Sequence, residues 1–157
     1  MLTTYLSVDI ETTGLDPRMD KIIQIGALRV RDGEVTDTFQ TYVNPGRKIS
    51  ERITELTGIR DKTVADAPVI GDVLPEFLTF AGEEVLLGHH VIFDYSFLKR
   101  AAVNEGYPFE RQGMDTLKIA RRFLPELESR SLPFLCKHYG ISHRAHDALA
   151  DASATME

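Results

Sequence analysis

Residues 5–11 read Tyr-Leu-Ser-Val-Asp-Ile-Glu, and this stretch has the clearest strand pattern in the chain. Apolar and polar side chains alternate along it, which is the period of a β-strand that turns one face to the core. Asp9 and Glu11 belong to the polar set and therefore project from the same face of the strand. The run Thr12-Thr13-Gly14 ends the alternation and so ends the predicted strand.

The remaining sequence predicts further strands, each followed by helices. Strands are predicted over residues 21–30, 38–43 and 85–89, with a turn at Asp32-Gly33. Helices are predicted over residues 50–56, 69–80, 96–104, 116–122 and 132–139, and from Asp147 onward. We therefore expect an α/β domain in which helices pack on both faces of a mixed central sheet.

The composition is that of a globular protein. A chain of 157 residues with 43% hydrophobic and 27% charged residues is expected to form a single domain over 1–157. Cys136 is the only cysteine, so no intramolecular disulfide can form. No apolar run is long enough to cross a bilayer, and the first residues lack the basic and apolar regions of a signal peptide. We expect a cytoplasmic location and no membrane partner.

The formal net charge is -6, with 24 acidic and 18 basic residues. This balance argues against a protein that coats nucleic acid by bulk electrostatic attraction, because that mode needs a basic stripe. It does not exclude nucleic-acid chemistry, because carboxylates that hold divalent cations also make a chain acidic. The positions of the acidic residues are therefore more informative than their number.

Asp9-Ile10-Glu11 is the first candidate for chemistry. Two carboxylates at this spacing on a strand lie about 7 Å apart, close enough to share a pair of divalent ions. A solvated polar face of an edge strand is the alternative explanation. An EF-hand calcium loop from Asp9 to Asp20 is excluded, because a strand precedes it where an EF-hand has a helix.

Two later segments carry candidate side chains at the starts of predicted helices. Asp94 lies between the predicted strand 85–89 and the predicted helix 96–104, where α/β sheets place ligands. His146 and Asp151 flank the start of the last predicted helix and can converge on one point. Helix capping by Asp94, or a favourable interaction of Asp151 with the helix dipole, would explain these residues without a site.

A zinc site is a weaker alternative in the same region. Its four candidate ligands are Cys136, His138, His143 and His146. The Cys-x-His spacing is unusual for a structural zinc site, and the apolar neighbours of the cysteine indicate a buried side chain. We do not expect zinc to bind there.

The three segments together resemble the motifs of a known family. D-I-E-T-T-G begins at Asp9, G-H-H-V-I-F-D-Y-S-F-L begins at Gly88, and H-R-A-H-D-A-L-A-D-A begins at His143. In this order they are similar to the three exonuclease motifs of the DnaQ-like DEDDh family, the proofreading 3′–5′ exonucleases. The match runs from Asp9 to Asp151. The resemblance implies a ribonuclease H-like fold.

The resemblance also implies a reaction and roles for individual residues. The expected reaction releases nucleoside 5′-monophosphates from the 3′ end of single-stranded DNA, with two Mg²⁺ or Mn²⁺ ions as cofactors and His146 as the general base. The implied metal-binding carboxylates are Asp9, Glu11, Asp94 and Asp151. The implied substrate contacts are Thr12, Thr13, Leu15, Ile59, His90 and Phe97. For Leu15 and Phe97, packing in the core is the alternative role.

Two features depart from the family pattern. His90 stands where the middle motif usually has asparagine, which puts the polar contact of that position in doubt. The family's last helix generally runs further than Glu157, which is consistent with a domain trimmed at its C-terminal helix. Three alternatives stay open: an RNA-trimming exoribonuclease, a catalytically silent module that binds nucleic-acid ends, and an internally cutting nuclease. A polymerase or an appended domain is an expected partner.

Overall fold

The computed structural model describes residues 3–157 and contains one five-stranded sheet in the order β3-β2-β1-β4-β5. Strands β1, β2 and β3 pair antiparallel, whereas β4 is parallel to β1 and β5 is parallel to β4. The strands are β1 (Thr4–Thr12), β2 (Ile22–Arg31), β3 (Glu34–Tyr42), β4 (Leu86–Gly88) and β5 (Gly113–Asp115). The sheet is therefore mixed, as predicted, and β1 is its central strand.

Seven helices connect and cover the strands within residues 3–157. They are α1 (Glu51–Thr57), α2 (Asp61–Val64), α3 (Ile70–Ala81), α4 (Val91–Asn104), α5 (Thr116–Phe123), α6 (Leu132–Tyr139) and α7 (Ala148–Met156). Ser50, Asp115 and Asp147 cap α1, α5 and α7, because each side chain accepts hydrogen bonds from backbone N–H groups of the first helical turn. No helix among these residues is long and apolar enough to cross a membrane.

The alternation along β1 gives the sheet two different faces. Leu6, Val8 and Ile10 are buried in the main core cluster, together with side chains of α3 and α4. Ser7 points to the opposite face, where its hydroxyl donates to the carbonyl of Ala152 in α7 at 2.6 Å. Helices consequently pack on both faces of the sheet, as the sequence predicts.

Gly26 allows α7 to lie directly on the sheet. It pairs with Asp9 across the β1–β2 ladder and therefore faces α7. A Cβ atom at this position would lie 2.2 Å from the backbone nitrogen of Leu149 and 2.3 Å from the carbonyl carbon of Ala148. Only glycine permits this approach, and the approach sets the depth of α7 over the central strand.

Four elements differ from the sequence prediction. Strand β3 begins at Glu34 rather than at residue 38, and α4 begins at Val91 rather than at residue 96. The short elements α2 and β5 were not predicted. The earlier start of α4 has the largest consequence, because it places Asp94 inside the first helical turn rather than at a helix cap.

Candidate active site

The central strand supplies two carboxylates to one face of the sheet. Asp9 is partly buried and Glu11 is 9% exposed. Both lie on the α7 side of β1, because Gly26 and Gln24, their partners on β2, contact the start of α7. The backbone N–H of Ala148 donates to Gln24 Oε1 at 3.1 Å, which fixes the start of α7 near Glu11. These two carboxylates are therefore not on a solvated edge strand.

Asp94 comes to the same place from α4. It lies in the first turn of α4, is 3% exposed, and its Oδ1 accepts a hydrogen bond from the backbone N–H of Ile10 at 3.0 Å. The cap position of this helix is taken by His90, which has a left-handed backbone with φ 74°. Helix capping by Asp94 is thus excluded, and its carboxylate instead joins α4 to the central strand between Asp9 and Glu11.

Asp151 and His146 come from the last helix and the residue before its cap. Asp151 is 7% exposed, and its Oδ2 accepts the backbone N–H of His146 at 3.0 Å. His146 has φ 63°, an uncommon conformation for a residue with a side chain. The ring Nε2 of His143 is hydrogen bonded to Asp151 Oδ1. Both oxygens of this carboxylate are therefore held from the loop that carries His146.

The four carboxylates and His146 line one cavity of about 240 Å³. Ligand atoms of Glu11, His146 and Asp151 lie within 4.8 Å of one another. The structure thus brings together all five residues for which the sequence predicts metal binding or general-base catalysis. The zinc alternative, which the sequence does not favour, is not assembled, because Cys136 is buried in α6 and His138 is exposed.

The carboxylates of this cavity are difficult to ionise without a counter-charge. Burial, together with the smaller contributions of the Asp151 and Asp147 charges, raises the pKa of Glu11 to about 7. Burial also raises the pKa of Asp9 well above its usual range, with added repulsion from Asp94, Asp151 and Glu11. For Asp94 the rise from burial outweighs the lowering by backbone hydrogen bonds. Such a set of oxygen donors fits hard divalent cations, whose charge would relieve the repulsion.

The predicted substrate contacts divide into three groups. His90 lines the cavity. Thr12, Thr13 and Leu15 lie in or beside the loop after β1, where Leu15 is 81% exposed and the Asp20 carboxylate accepts the backbone N–H of Asp16 at 2.9 Å. Ile59 and Phe97 are both 3% exposed and lie in separate hydrophobic clusters. Neither of these two side chains reaches the cavity.

Several residues of the cavity were not singled out from the sequence. Phe93 is half-buried, lines the cavity, and packs against Phe97 with ring centroids 5.0 Å apart. His89 also lines the cavity, and its ring nitrogens lie 2.9 Å from Thr116 Oγ1 and 2.8 Å from the Arg130 carbonyl. Both lie within the quoted middle motif, but only the position of α4 shows which residues of that motif face the site.

A mixed sheet covered on both faces, with carboxylates gathered at its central strand, defines the ribonuclease H-like class. Residues 6–157 match the RNase_T family profile, which is described as Exonuclease. The chain belongs to this exonuclease family, and the DnaQ-like resemblance of its motifs is confirmed. The enzymes of the family depend on divalent metal ions, in agreement with the acidic cavity.

Relatives and solved structures agree with this assignment. The chain is 43% identical over 154 residues to the DNA polymerase III PolC-type protein of Clostridium perfringens, covering 98% of this chain and 11% of that protein. It is 38% identical over 156 residues to DNA polymerase III subunit epsilon of Aquifex aeolicus, covering 98% of this chain and 77% of that subunit. E. coli exonuclease I in complex with a dA16 oligonucleotide has the same fold, with TM-score 0.82 and 22% identity over 98% of this chain and 39% of that chain. The chain thus spans about a tenth of the length of its PolC-type relatives.

Proposed function

We propose that this chain is a 3′–5′ exonuclease that releases nucleoside 5′-monophosphates from the 3′ end of single-stranded DNA. The observation that carries the proposal is the convergence of four carboxylates and His146 from three distant segments on one cavity. DNA is favoured over RNA because the relatives above are DNA polymerase III proteins. We also propose that residues 1–157 form one exonuclease domain that works with a polymerase. The cytoplasmic location stays a prediction.

The donor chemistry supports two Mg²⁺ or Mn²⁺ ions as the cofactors. Asp9, Glu11, Asp94 and Asp151 offer only oxygen atoms, which these cations prefer. When bound, the ions would supply Lewis-acid activation of water and neutralise charge on the leaving 3′ oxygen. The carboxylates must lose their protons to bind them, so the raised pKa values of Glu11 and Asp94 make metal affinity increase with pH.

His146 is proposed as the general base. Its ligand atom lies within 4.8 Å of those of Glu11 and Asp151, and its backbone N–H is fixed to Asp151 at 3.0 Å. A base held at this distance from the carboxylates can accept the proton of the attacking water. The left-handed backbone of His146 directs this loop residue to the cavity just before α7 begins.

The substrate end is proposed to lie between the loop after β1 and α4. Leu15 is free to contact a terminal base, because its side chain is 81% exposed. Phe93 lines the cavity, so we propose that this ring, rather than that of Phe97, contacts the terminal nucleotide. His90 lies at the start of α4 on the same cavity and is available for a polar contact.

The test uses a single-stranded DNA oligonucleotide labelled at its 5′ end and the RNA of the same sequence. Each is incubated with the protein in Mg²⁺, in Mn²⁺ and in EDTA, and the products are separated on a gel. A metal-dependent ladder that shortens from the 3′ end, faster for DNA, is expected. Asp9→Asn should abolish the ladder, whereas Asp72→Asn should not, because Asp72 is an exposed residue of α3.

Each other outcome rejects a stated part of the proposal. A faster RNA ladder would reject the DNA preference and support an exoribonuclease. Cleavage of a circular single strand would indicate an internally cutting nuclease. If neither polymer is cut while Mn²⁺ binds, the activity of this chain alone is rejected, and a silent end-binding module or a domain that needs its partner takes its place.

A further inference from the structure

The charges of this acidic chain are strongly segregated. Between the cap residues Asp115 and Asp147, residues 116–146 carry six lysines and arginines against two glutamates, a net charge of +4. The other residues carry 12 basic and 22 acidic side chains, a net charge of -10. A polyanion that approaches the protein is therefore attracted to one segment and repelled by the rest.

This basic segment borders the cavity. Leu132, Pro133, His143 and Ala145 line the cavity from this segment, together with His146. The ring of His89 contacts the segment at both Thr116 and Arg130, which fixes the start of α5 and the approach to α6 beside the site. The segment is thus one side of the active-site opening.

Three exposed side chains of the segment lie beside residues that line or contact the cavity. On α5, Phe123 follows Thr116 by seven residues and therefore shares its face, and Phe123 is 72% exposed. On α6, Lys137 follows Pro133 by four residues and shares the face that lines the cavity. Arg144 lies between two cavity-lining residues and is exposed.

One arginine of α5 also acts on the site. Arg121 lies close enough for its charge to contribute to the lowered pKa of His89, whose main cause is burial. Arg121 and Arg122 are both exposed. Within residues 3–157, no carboxylate lies within 4.0 Å of the charged nitrogens of Arg121, Arg122, Lys137 or Arg144. These cations are available to an external anion.

We propose that a basic surface binds the phosphodiester backbone of the strand upstream of the 3′-terminal nucleotide, with a base stacked on its aromatic ring. The basic surface consists of Arg121, Arg122, Phe123, Lys137 and Arg144. The inference rests on the proposed function, because it takes the cavity as the place where the 3′ end is cut. The inference also gives the path of the DNA, which would leave the cavity across α5 and α6.

Binding of a fluorescent single-stranded DNA of about 20 nucleotides, measured by anisotropy in Ca²⁺ at several salt concentrations, tests the basic surface. The variant combines Arg121→Gln, Arg122→Gln and Lys137→Gln. The matched control combines Arg31→Gln, Lys48→Gln and Lys62→Gln, three exposed cations outside the segment. The first variant should bind about tenfold or more weakly at low salt, and its salt dependence should fall by about 2 in log–log slope. The control should bind nearly as the unchanged protein does.

Three outcomes would overturn the inference. Equal losses in the two variants would show a response to net charge rather than a local surface. Unchanged binding in the first variant would show that the basic surface does not bind DNA and would favour an acidic protein as its partner. An equal loss of affinity for a dinucleotide, which has no upstream strand, would place these cations at the terminal nucleotide.

The aromatic ring of the basic surface is tested separately. Phe123→Ala should weaken DNA binding at least about fivefold, whereas Tyr42→Ala, at another exposed aromatic residue, should not.

A second substrate separates this inference from the proposed function. The p-nitrophenyl ester of thymidine 5′-monophosphate has no upstream phosphates, so its hydrolysis by the unchanged protein reports the site alone. If the ester is hydrolysed but substitutions in the basic surface leave oligonucleotide binding unchanged, the inference fails and the proposed function stands. If the surface is needed for binding but neither the ester nor an oligonucleotide is cut, the proposed function fails instead.

Discussion

His143 and Asp151 form a hydrogen-bonded pair through the ring Nε2 and the carboxylate Oδ1. The His143 side chain is 6% exposed and that of Asp151 is 11% exposed, so water competes little for this contact. Because the other carboxylate oxygen accepts the N–H of His146, the pair fixes the orientation of Asp151 relative to the proposed base. Residues that orient a metal-binding side chain in this way contribute to affinity without touching the metal.

His143→Ala is expected to weaken Mn²⁺ binding about 10- to 100-fold and to lower activity by a similar factor, because Asp151 loses the partner that orients it. Calorimetric titration with Mn²⁺ and the 3′-end assay measure the two effects. His143→Gln, which keeps a donor, should recover part of the affinity. His138→Ala is the control, since that ring is exposed on α6. Unchanged Mn²⁺ affinity in His143→Ala would contradict a positioning role.

The metal-free protein is expected to lose stability as the pH rises. Burial raises the pKa values of Asp9, Glu11 and Asp94, so the folded chain keeps these protons to a higher pH than the unfolded chain does. The stability that the Glu11 proton provides is present below pH 4.5 and is lost as the pH passes about 7. For the Asp94 proton the corresponding values are 3.8 and about 8. The melting temperature in EDTA should therefore be higher at about pH 5.5 than at about pH 8.

Asp9→Asn tests the cause of this pH dependence. The substitution removes one buried charge, so the variant should melt at a higher temperature than the unchanged protein at about pH 8 in EDTA and depend less on pH. Its activity should fall about 10³-fold, since several kcal/mol of metal stabilisation are lost. A variant that is insoluble, or that melts lower in EDTA, would instead give Asp9 a structural role.

Gly26→Ala is expected to inactivate the protein although Gly26 does not line the cavity. The new methyl group would meet the backbone of α7 at 2.2 Å, so the helix must move and carry Asp151 with it. We expect a loss of activity of about 100-fold or more and a destabilisation of about 1–3 kcal/mol. Activity and urea unfolding measure these effects. Gly71→Ala serves as the control, because its methyl group meets only the flexible end of Glu105; equal losses in both variants would refute the packing argument.

The two phenylalanines of α4 should respond differently. Phe93→Ala is expected to raise KM for single-stranded DNA about tenfold with little change in the free energy of unfolding, because the ring lines the cavity. Phe97→Ala should destabilise the fold by about 3–5 kcal/mol, because this side chain is 3% exposed in the core. Phe97→Leu keeps an apolar side chain there and should leave KM unchanged. A raised KM in Phe97→Leu would indicate that Phe97, rather than Phe93, contacts the terminal base.

The local patterns of the sequence predict most of the elements and the five proposed catalytic residues that line the cavity. The alternation along β1 indicates the shared face of Asp9 and Glu11, and the spacing of His146 and Asp151 places them at the start of the last helix. The strand β5 was missed because its three residues are too few to show a period. The first turn of α4 was missed because its apolar residues continue the apolar run of β4, and nothing in the sequence shows the left-handed backbone of His90.

Features that depend on tertiary contacts lie outside such patterns. His143 precedes Asp151 by eight residues, and only the path of the loop before α7 brings its ring to that carboxylate. Phe93 and Phe97 are one helical turn apart and equally apolar, so their different burial follows from how α4 meets the sheet. The net charge of -6 likewise does not reveal the basic segment, because a sum over the whole chain does not show where the charges lie.

The hydrogen bond between Ser7 and Ala152 joins residues 145 positions apart, and the cavity needs carboxylates from both regions. A nascent chain that has emerged only as far as α6 therefore holds Asp9, Glu11 and Asp94 but lacks Asp151 and His146. With the roles proposed for Asp151 and His146, such a chain cannot cut nucleic acid while it is still being made beside a messenger RNA. Docking of α7 is thus the step at which the newly synthesised chain would acquire the proposed hydrolytic activity, and contacts of such long sequence separation make that step a late one in folding.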